Sequence, residues 1–286
     1  MARICVVGSV NADLTFTVEA LPKPGETVLA SALASSAGGK GGNQAVAAAR
    51  AGADVRLVAA LGTDAAAAAL RTHLLANDVD LQAVVEVPGP SGSAAIVVDA
   101  GAENCIVVAP GANAHLTVTS AATRSMIAAA DVVLISLEIP FATALAAAGV
   151  GRDGGAVVMV NASPALTDPE HRRQLTEHAD VIVVNETEAS DWQGAPVGHL
   201  VITRGARGAR HVTDGSSHDV PAPAVEAVDT TGAGDVFAGV LAAAWPTGAD
   251  QALRRACAAG ALATLVSGAG DCAPTREAID DVLEGR

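Results

Sequence analysis

The chain has 286 residues, with 17 Lys and Arg against 31 Asp and Glu, for a formal net charge of −14. An acidic surface of that size repels phosphate backbones and excludes a general nucleic-acid binder, and no apolar run approaches the ~18 residues of a membrane span. Half of the residues are hydrophobic but only 2% are aromatic and none is Tyr, so the core must be built from Ala, Val, Leu and Ile, in a chain of the length of one large α/β domain, residues 1–286.

The first apolar run, residues 4–7, follows Ala2-Arg3 directly and is too short for the hydrophobic stretch of a secretory leader. A cytoplasmic protein is expected. Further β-branched runs at 55–59, 132–135, 157–160, 181–184 and 200–203 read as strands covered on both faces. Between them lie Ala-rich stretches at 43–51, 65–76, 119–130, 141–148 and 171–178, which read as helices. Strands alternating with helices predict a mostly parallel sheet with helices on both sides. Two regions break the rhythm. Residues 10–36 alternate and then turn at Pro22-Lys23-Pro24-Gly25, and residues 82–110 hold short apolar runs around Pro88-Gly89-Pro90. Both predict antiparallel strands that meet as a small β lid. Cys5, Cys105, Cys257 and Cys272 form no C-x-x-C pair and read as reduced thiols.

The strongest chemical signal is Asp229-Thr230-Thr231-Gly232-Ala233-Gly234-Asp235, which ends in an apolar helix. The unpaired N–H groups of a helix start, carried on small residues, form an anion site. An Asp on the first turn stands where a carboxylate accepts the proton of an attacking alcohol. A second cluster, Gly39-Lys40-Gly41-Gly42-Asn43, opens a helix and allows close backbone approach to a ligand, with Asn43 as its N-cap. It is not a Walker A loop, because Gly41 follows the Lys where Ser or Thr belongs. The end of the first strand, Gly8-Ser9-Val10-Asn11, lacks the glycine spacing of a dinucleotide site. Asn11 and Asp13 supply the paired donors and acceptors that a polyol needs. Glu138 follows the strand at 132–135, at the strand end where such sheets hold ligands.

The glycine loop resembles the second signature, D-T-T-G-A-G-D, of the ribokinase-like (PfkB) carbohydrate kinases. Gly39 to Asn43 resembles their first signature, G-G-K-G-x-N. The resemblance runs from Cys5 to about Val282 and implies a three-layer α/β/α fold with a β lid that pairs two subunits as a homodimer. It implies ATP-dependent phosphorylation of a small sugar, with D-ribose to D-ribose 5-phosphate the leading reaction and 2-deoxyribose, fructose or adenosine as other acceptors. A non-catalytic sugar or nucleotide sensor is the reading from another class.

The roles implied are these. Asp235 is the catalytic base and the backbone of Gly232, Ala233 and Gly234 the anion hole. Asn11, Asp13, Gly39, Lys40, Gly41, Gly42, Asn43 and Glu138 hold the sugar. Asn185 and Glu188 match N-x-x-E, with Glu188 serving magnesium through water. Thr203, Arg204, Gly205, Ala206, Arg207 and Gly208 resemble the nucleotide turn, and either Arg would bring positive potential to an acidic protein. Gly234 and Cys257 also face the nucleotide, with Cys257 giving the adenine an apolar wall. Asp229, Thr231, Ala263, Val266, Gly268 and Cys272 form the potassium loop, although a thiol at Cys272 is a poor ligand for a hard cation.

Overall fold

Val- and Ile-rich runs assemble the main sheet in this computed structural model, which describes residues 1–101 and 103–286. In chain order its parallel strands are β1 (Arg3–Val7), β4 (Asp54–Leu61), β5 (Val79–Glu86), β8 (Val132–Ser136), β9 (Val157–Asn161), β10 (Val181–Asn185) and β11 (His199–Thr203). An antiparallel hairpin, β12 (Ala209–Thr213) and β13 (Ser216–Val220), completes one edge. The order is β13-β12-β11-β10-β9-β8-β1-β4-β5. A second sheet of four strands has the order β3-β2-β6-β7 and is made from β2 (Asn11–Thr17), β3 (Ala32–Gly38), β6 (Gly92–Val98) and β7 (Asn104–Ala109).

The helices are α1 (Lys40–Arg50), α2 (Ala65–Ala76), α3 (Ala121–Ala128), α4 (Phe141–Asp153), α5 (Pro169–Thr176), α6 (Ala233–Ala244), α7 (Ala249–Ala263) and α8 (Arg276–Glu284). Asp64, Ser120, Asp168 and Thr275 start four of them by accepting a first-turn N–H. One buried cluster joins α1, α6, α7 and α8 to one face of the sheet, and another joins α3, α4 and α5 to the other. Among the described residues no helix is long and apolar enough to cross a membrane.

Two expectations about the fold are corrected, and one element carried no signal that was read. The run within 82–110 that begins at Ala83 belongs to β5 of the main sheet, paired parallel with β4, and only β6 and β7 of that region join the small sheet. A parallel edge strand and a lid strand carry the same short apolar pattern, so periodicity does not separate them. Asn43 is not an N-cap, because α1 already starts at Lys40 behind Gly39, and Asn43 lies inside the helix. The hairpin β12–β13 follows no apolar pattern, since its exposed residues are polar. Its Asp214-Gly215 turn is the local signal that marks it.

Small residues set the spacing of α1 and α6. A Cβ added at Gly239 would stand 2.8 Å from the Ala47 methyl and would overlap the Gln44 carbonyl. Gly239→Val is therefore expected to push the two helices apart. It should lower stability by about 1–3 kcal/mol in urea unfolding and lower turnover even though no polar group of the site is removed.

Candidate active site

The direction of chain progression reverses about β1, which lies between β4 and β8. In open α/β sheets the crevice at such a switch point, outside the carboxyl ends of the strands, takes the ligand. Residues that follow β1 and β8 meet there. The Ser9 hydroxyl donates to Glu138 Oε2 at 2.6 Å, and the Lys40 N–H donates to the same oxygen at 3.3 Å. Asn11 and Asp13 open β2, with both side chains buried. The Asn113 amide donates to Asn11 Oδ1 at 2.8 Å while its own Oδ1 accepts the Val10 N–H at 3.0 Å, which fixes the Asn11 amide. Asp13 Oδ1 is buried with no hydrogen-bond partner. Burial pushes its carboxyl up to about 6, and the charges of Glu138 and Asp235 add to the effect. A buried acceptor among like charges is suited to a ligand that arrives with O–H donors.

Asp235 is buried on the first turn of α6. Because α1 and α6 approach closely, Asn43 Nδ2 donates to Asp235 Oδ2 at 3.0 Å and Gln44 Nε2 donates to Oδ1 at 3.1 Å. The two amides aim the carboxylate and leave it lone pairs for a third donor. Gly232 precedes the helix with φ 78°, and a Cβ there would stand 2.8 Å from Ala269 Cα, so a glycine is required on both counts. The first-turn N–H groups of α6 have no partner within the helix, although that of Ala233 reaches the Thr230 carbonyl at 3.3 Å.

Beside Asp235 opens a cavity of about 180 Å³ lined by Lys40, Asn161, Ser163, Asn185, Glu188, Gly232 and Gly234. The Asp235 carboxylate raises the Lys40 ammonium pKa, burial opposes it, and Glu138 and Glu188 add to the rise. Lys40 thus stays charged, as the one cation lining this space among the described residues. Asn185 and Glu188 bond reciprocally, each backbone N–H donating to the other's side chain at 3.0 and 2.9 Å. This holds an oxygen donor of the kind a hard divalent cation takes, and Glu188 fits magnesium.

A larger cavity of about 480 Å³ adjoins the first and shares Thr203 and Gly234 with it. Gly205, Ala206, Gly208 and Cys257 line it, and Ala222, Pro223, Val225 and Phe237 complete an apolar slot. The Cys257 thiol is pushed up to about 11 by burial and stays neutral. Arg204 and Arg207 do not line the cavity. Arg204 pairs with Asp219 at 3.0 Å, leaving its Nε without a partner, and Arg207 pairs with Glu186 at 2.6 Å in solvent. Lys40 lines the smaller cavity and not this one.

The loop assigned to potassium also closes on itself. Asp229 accepts the Thr231 N–H at 2.9 Å and the Gly268 N–H at 2.8 Å. Burial would raise its pKa, but these two N–H groups outweigh burial and hold it below the usual carboxylate value. An ionised carboxylate fits a monovalent cation. The side chain of Cys272 does not. Burial, then the charges of Asp235 and Asp229, push its thiol up to about 11, and the S–H points at the Ala269 carbonyl at 3.3 Å. Ala263 is buried and its carbonyl takes the Val266 N–H at 3.2 Å, while Val266 is exposed.

A family model described as pfkB family carbohydrate kinase matches residues 1–276, and the chain belongs to that family. It is 36% identical over 295 residues to the ribokinase of Bacillus subtilis (strain 168), covering 99% of this chain and all of that one. It is 31% identical over 304 residues to the deoxyribokinase of Salmonella typhi, covering 98% of each. The structure of Arabidopsis thaliana ribokinase complexed with ribose and ATP matches with a TM-score of 0.91 at 29% identity, over 99% of both chains. The enzyme is thus a carbohydrate kinase of the ribokinase family.

Residues that sequence reasoning missed are Ser9, Gln44, Asn113, Asn161 and Ser163. Gln44 stood one position beyond the first signature. Asn113 lies in a short 3-10 turn far along the chain, with no local signal.

Proposed function

We propose that this protein transfers the γ-phosphoryl group of ATP to the primary hydroxyl of D-ribose, giving D-ribose 5-phosphate and ADP. The observation that carries this reading is the Asp235 carboxylate, gripped by Asn43 and Gln44 and opening onto the cavity of Lys40 and Glu188. The unpartnered Asp13, the fixed Asn11 amide and Glu138 take the ring hydroxyls and direct the primary hydroxyl at Asp235. Asp235 accepts its proton as the hydroxyl oxygen bonds to the γ-phosphorus. The bond from phosphorus to the β–γ bridging oxygen breaks, and ADP leaves with that electron pair. The N–H groups at the start of α6, with Gly232, Ala233 and Gly234, meet the charge on the transferring oxygens, and Lys40 adds a fixed positive charge. The apolar slot from Thr203 to Gly208, closed by Cys257, takes the adenine. Magnesium, held at Glu188 through water, would draw charge from the phosphate oxygens when bound.

The test is ADP release with ATP and magnesium over D-ribose, 2-deoxyribose, fructose, adenosine and no sugar. Highest kcat/KM on ribose is expected. A preference for 2-deoxyribose, the sugar that the relative's name carries, would keep the chemistry and move the substrate. No turnover on any sugar would reject the kinase reading in favour of a sensor.

Potassium activation rests on Asp229, Thr231 and Gly268. We expect the rate in potassium to exceed that in tetramethylammonium, and Asp229→Ala to abolish the difference. Pairing of two chains through the small sheet is supported by Leu33, Ile106, Val107 and Val108, exposed on its two edge strands. Sedimentation of wild type against Val107→Lys tests it, with a shift to monomer expected.

A further inference from the structure

Three of the seven histidines gather at the far edge of the main sheet, one on β11 and two on the hairpin β12–β13 beside it. His211 on β12 stands directly across from His218 on β13. His199, on β11, is diagonal to His211, and its Nδ1 lies 2.8 Å from His211 Nε2. Trp245 closes edge-on over His199, with ring centroids 5.1 Å apart. From the first turn of α7, Asp250 reaches His218, with Oδ1 3.3 Å from Nε2. One ligand atom each from His211, His218 and Asp250 lie within 4.8 Å of one another. Ligands on a tetrahedral ion at ~2.0–2.1 Å stand roughly 3.4 Å apart. His218 and Asp250 are exposed and free to close that difference.

A second observation points to a ligand. His211 is only 4% exposed, and its Nδ1 is buried with no hydrogen-bond partner. Its Nε2 is engaged by His199, so Nδ1 is unsatisfied whichever ring carries the shared proton. When His211 donates from Nε2, Nδ1 presents a bare lone pair. This is the tautomer in which a neighbouring acceptor orients a ligating imidazole.

We propose that His211, His218 and Asp250 form a site for a zinc-class divalent cation, with His199 orienting His211 and water as a fourth ligand. Two imidazoles and one carboxylate select such ions over magnesium, which prefers an all-oxygen shell. The ion would join α7 to the hairpin, the two elements already linked by the Cys257 thiol donating to the Val220 carbonyl at 3.6 Å. None of these residues lines the cavity that holds Glu188.

The test titrates the metal-stripped chain with Co2+ in the presence of excess magnesium and reads the visible absorption. The expected result is one Co2+ per chain, with the bands of nitrogen and oxygen ligation, displaced by Zn2+. His218→Ala and Asp250→Asn should each weaken binding about 10–100-fold while leaving ADP release unchanged, since neither residue touches the kinase site. Equal binding by wild type and both variants, a thiolate-to-cobalt band, or no binding at all would each overturn the proposal.

Discussion

Asp235→Asn is expected to fold normally and to lose about 10³-fold in kcat, the scale of a positioned general base. The amide keeps the size and shape of the carboxylate but cannot accept the hydroxyl proton. Its effect on stability should stay near 1 kcal/mol, for a reason visible in the site. Asn43 and Gln44 each donate to one oxygen of Asp235, and Gln44 Oε1 is itself buried with no partner. With Asn at 235, the Gln44 amide can turn so that its oxygen accepts the new N–H group. The packing at Gly239 and the first turn of α6 are untouched. The measurement is steady-state ADP release at saturating ATP and sugar, together with thermal unfolding. Near-normal turnover in a folded variant would remove Asp235 from the role of base. An unchanged KM for the sugar beside a fallen kcat would place the loss in the chemical step.

The reach of the sequence differs from one part of the site to another. The central strands were legible because their apolar runs are covered on both faces, as β8 shows with all five residues buried. The glycine loop was legible because a helix start on small residues beside an Asp is a local arrangement. The carboxylate's two amide partners were not legible as partners. Asn43 reads as a cap in one dimension, and only the close crossing of α1 and α6 turns it toward Asp235. Asn113 lies 102 positions from Asn11, and nothing near it in the chain announces the contact. The charge on the nucleotide side was misassigned for a related reason. Arg204 and Arg207 sit on the expected turn, but Asp219 and Glu186, brought by β13 and the segment after β10, claim them. Pairing among charges is a tertiary fact, so the motif fixed the backbone of the turn and not the direction of its side chains. β5 was placed in the wrong sheet because strand character is local while the choice of partner is not.

Asp13→Asn is expected to move stability and sugar use in opposite directions. The carboxyl of Asp13 titrates at about 6, above its ordinary 3.8, with burial the main cause and Glu138 and Asp235 adding repulsion. A raised folded-state pKa means that the protonated form is favoured by folding. Its contribution is full below the unfolded value and is lost as pH rises through about 6. At pH 7 the wild-type protein therefore carries a strained carboxylate. The uncharged amide should raise the stability of the sugar-free protein by about 2 kcal/mol, and this gain should fade as pH is lowered toward 4. Catalysis should pay for that gain. An ionised Asp13 accepts two hydroxyl protons through charge-assisted bonds, and the amide accepts one through a neutral bond. A rise of about 10–100-fold in the KM for sugar is expected, with the KM for ATP unchanged. In the wild type, kcat/KM for the sugar should fall as pH drops below about 6, and Asp13→Asn should lose that limb of the profile. The two readouts separate the roles. A gain in stability without a loss of sugar affinity would leave Asp13 strained but not in contact with substrate. A loss of affinity with no change in the acid limb would assign that limb to another group.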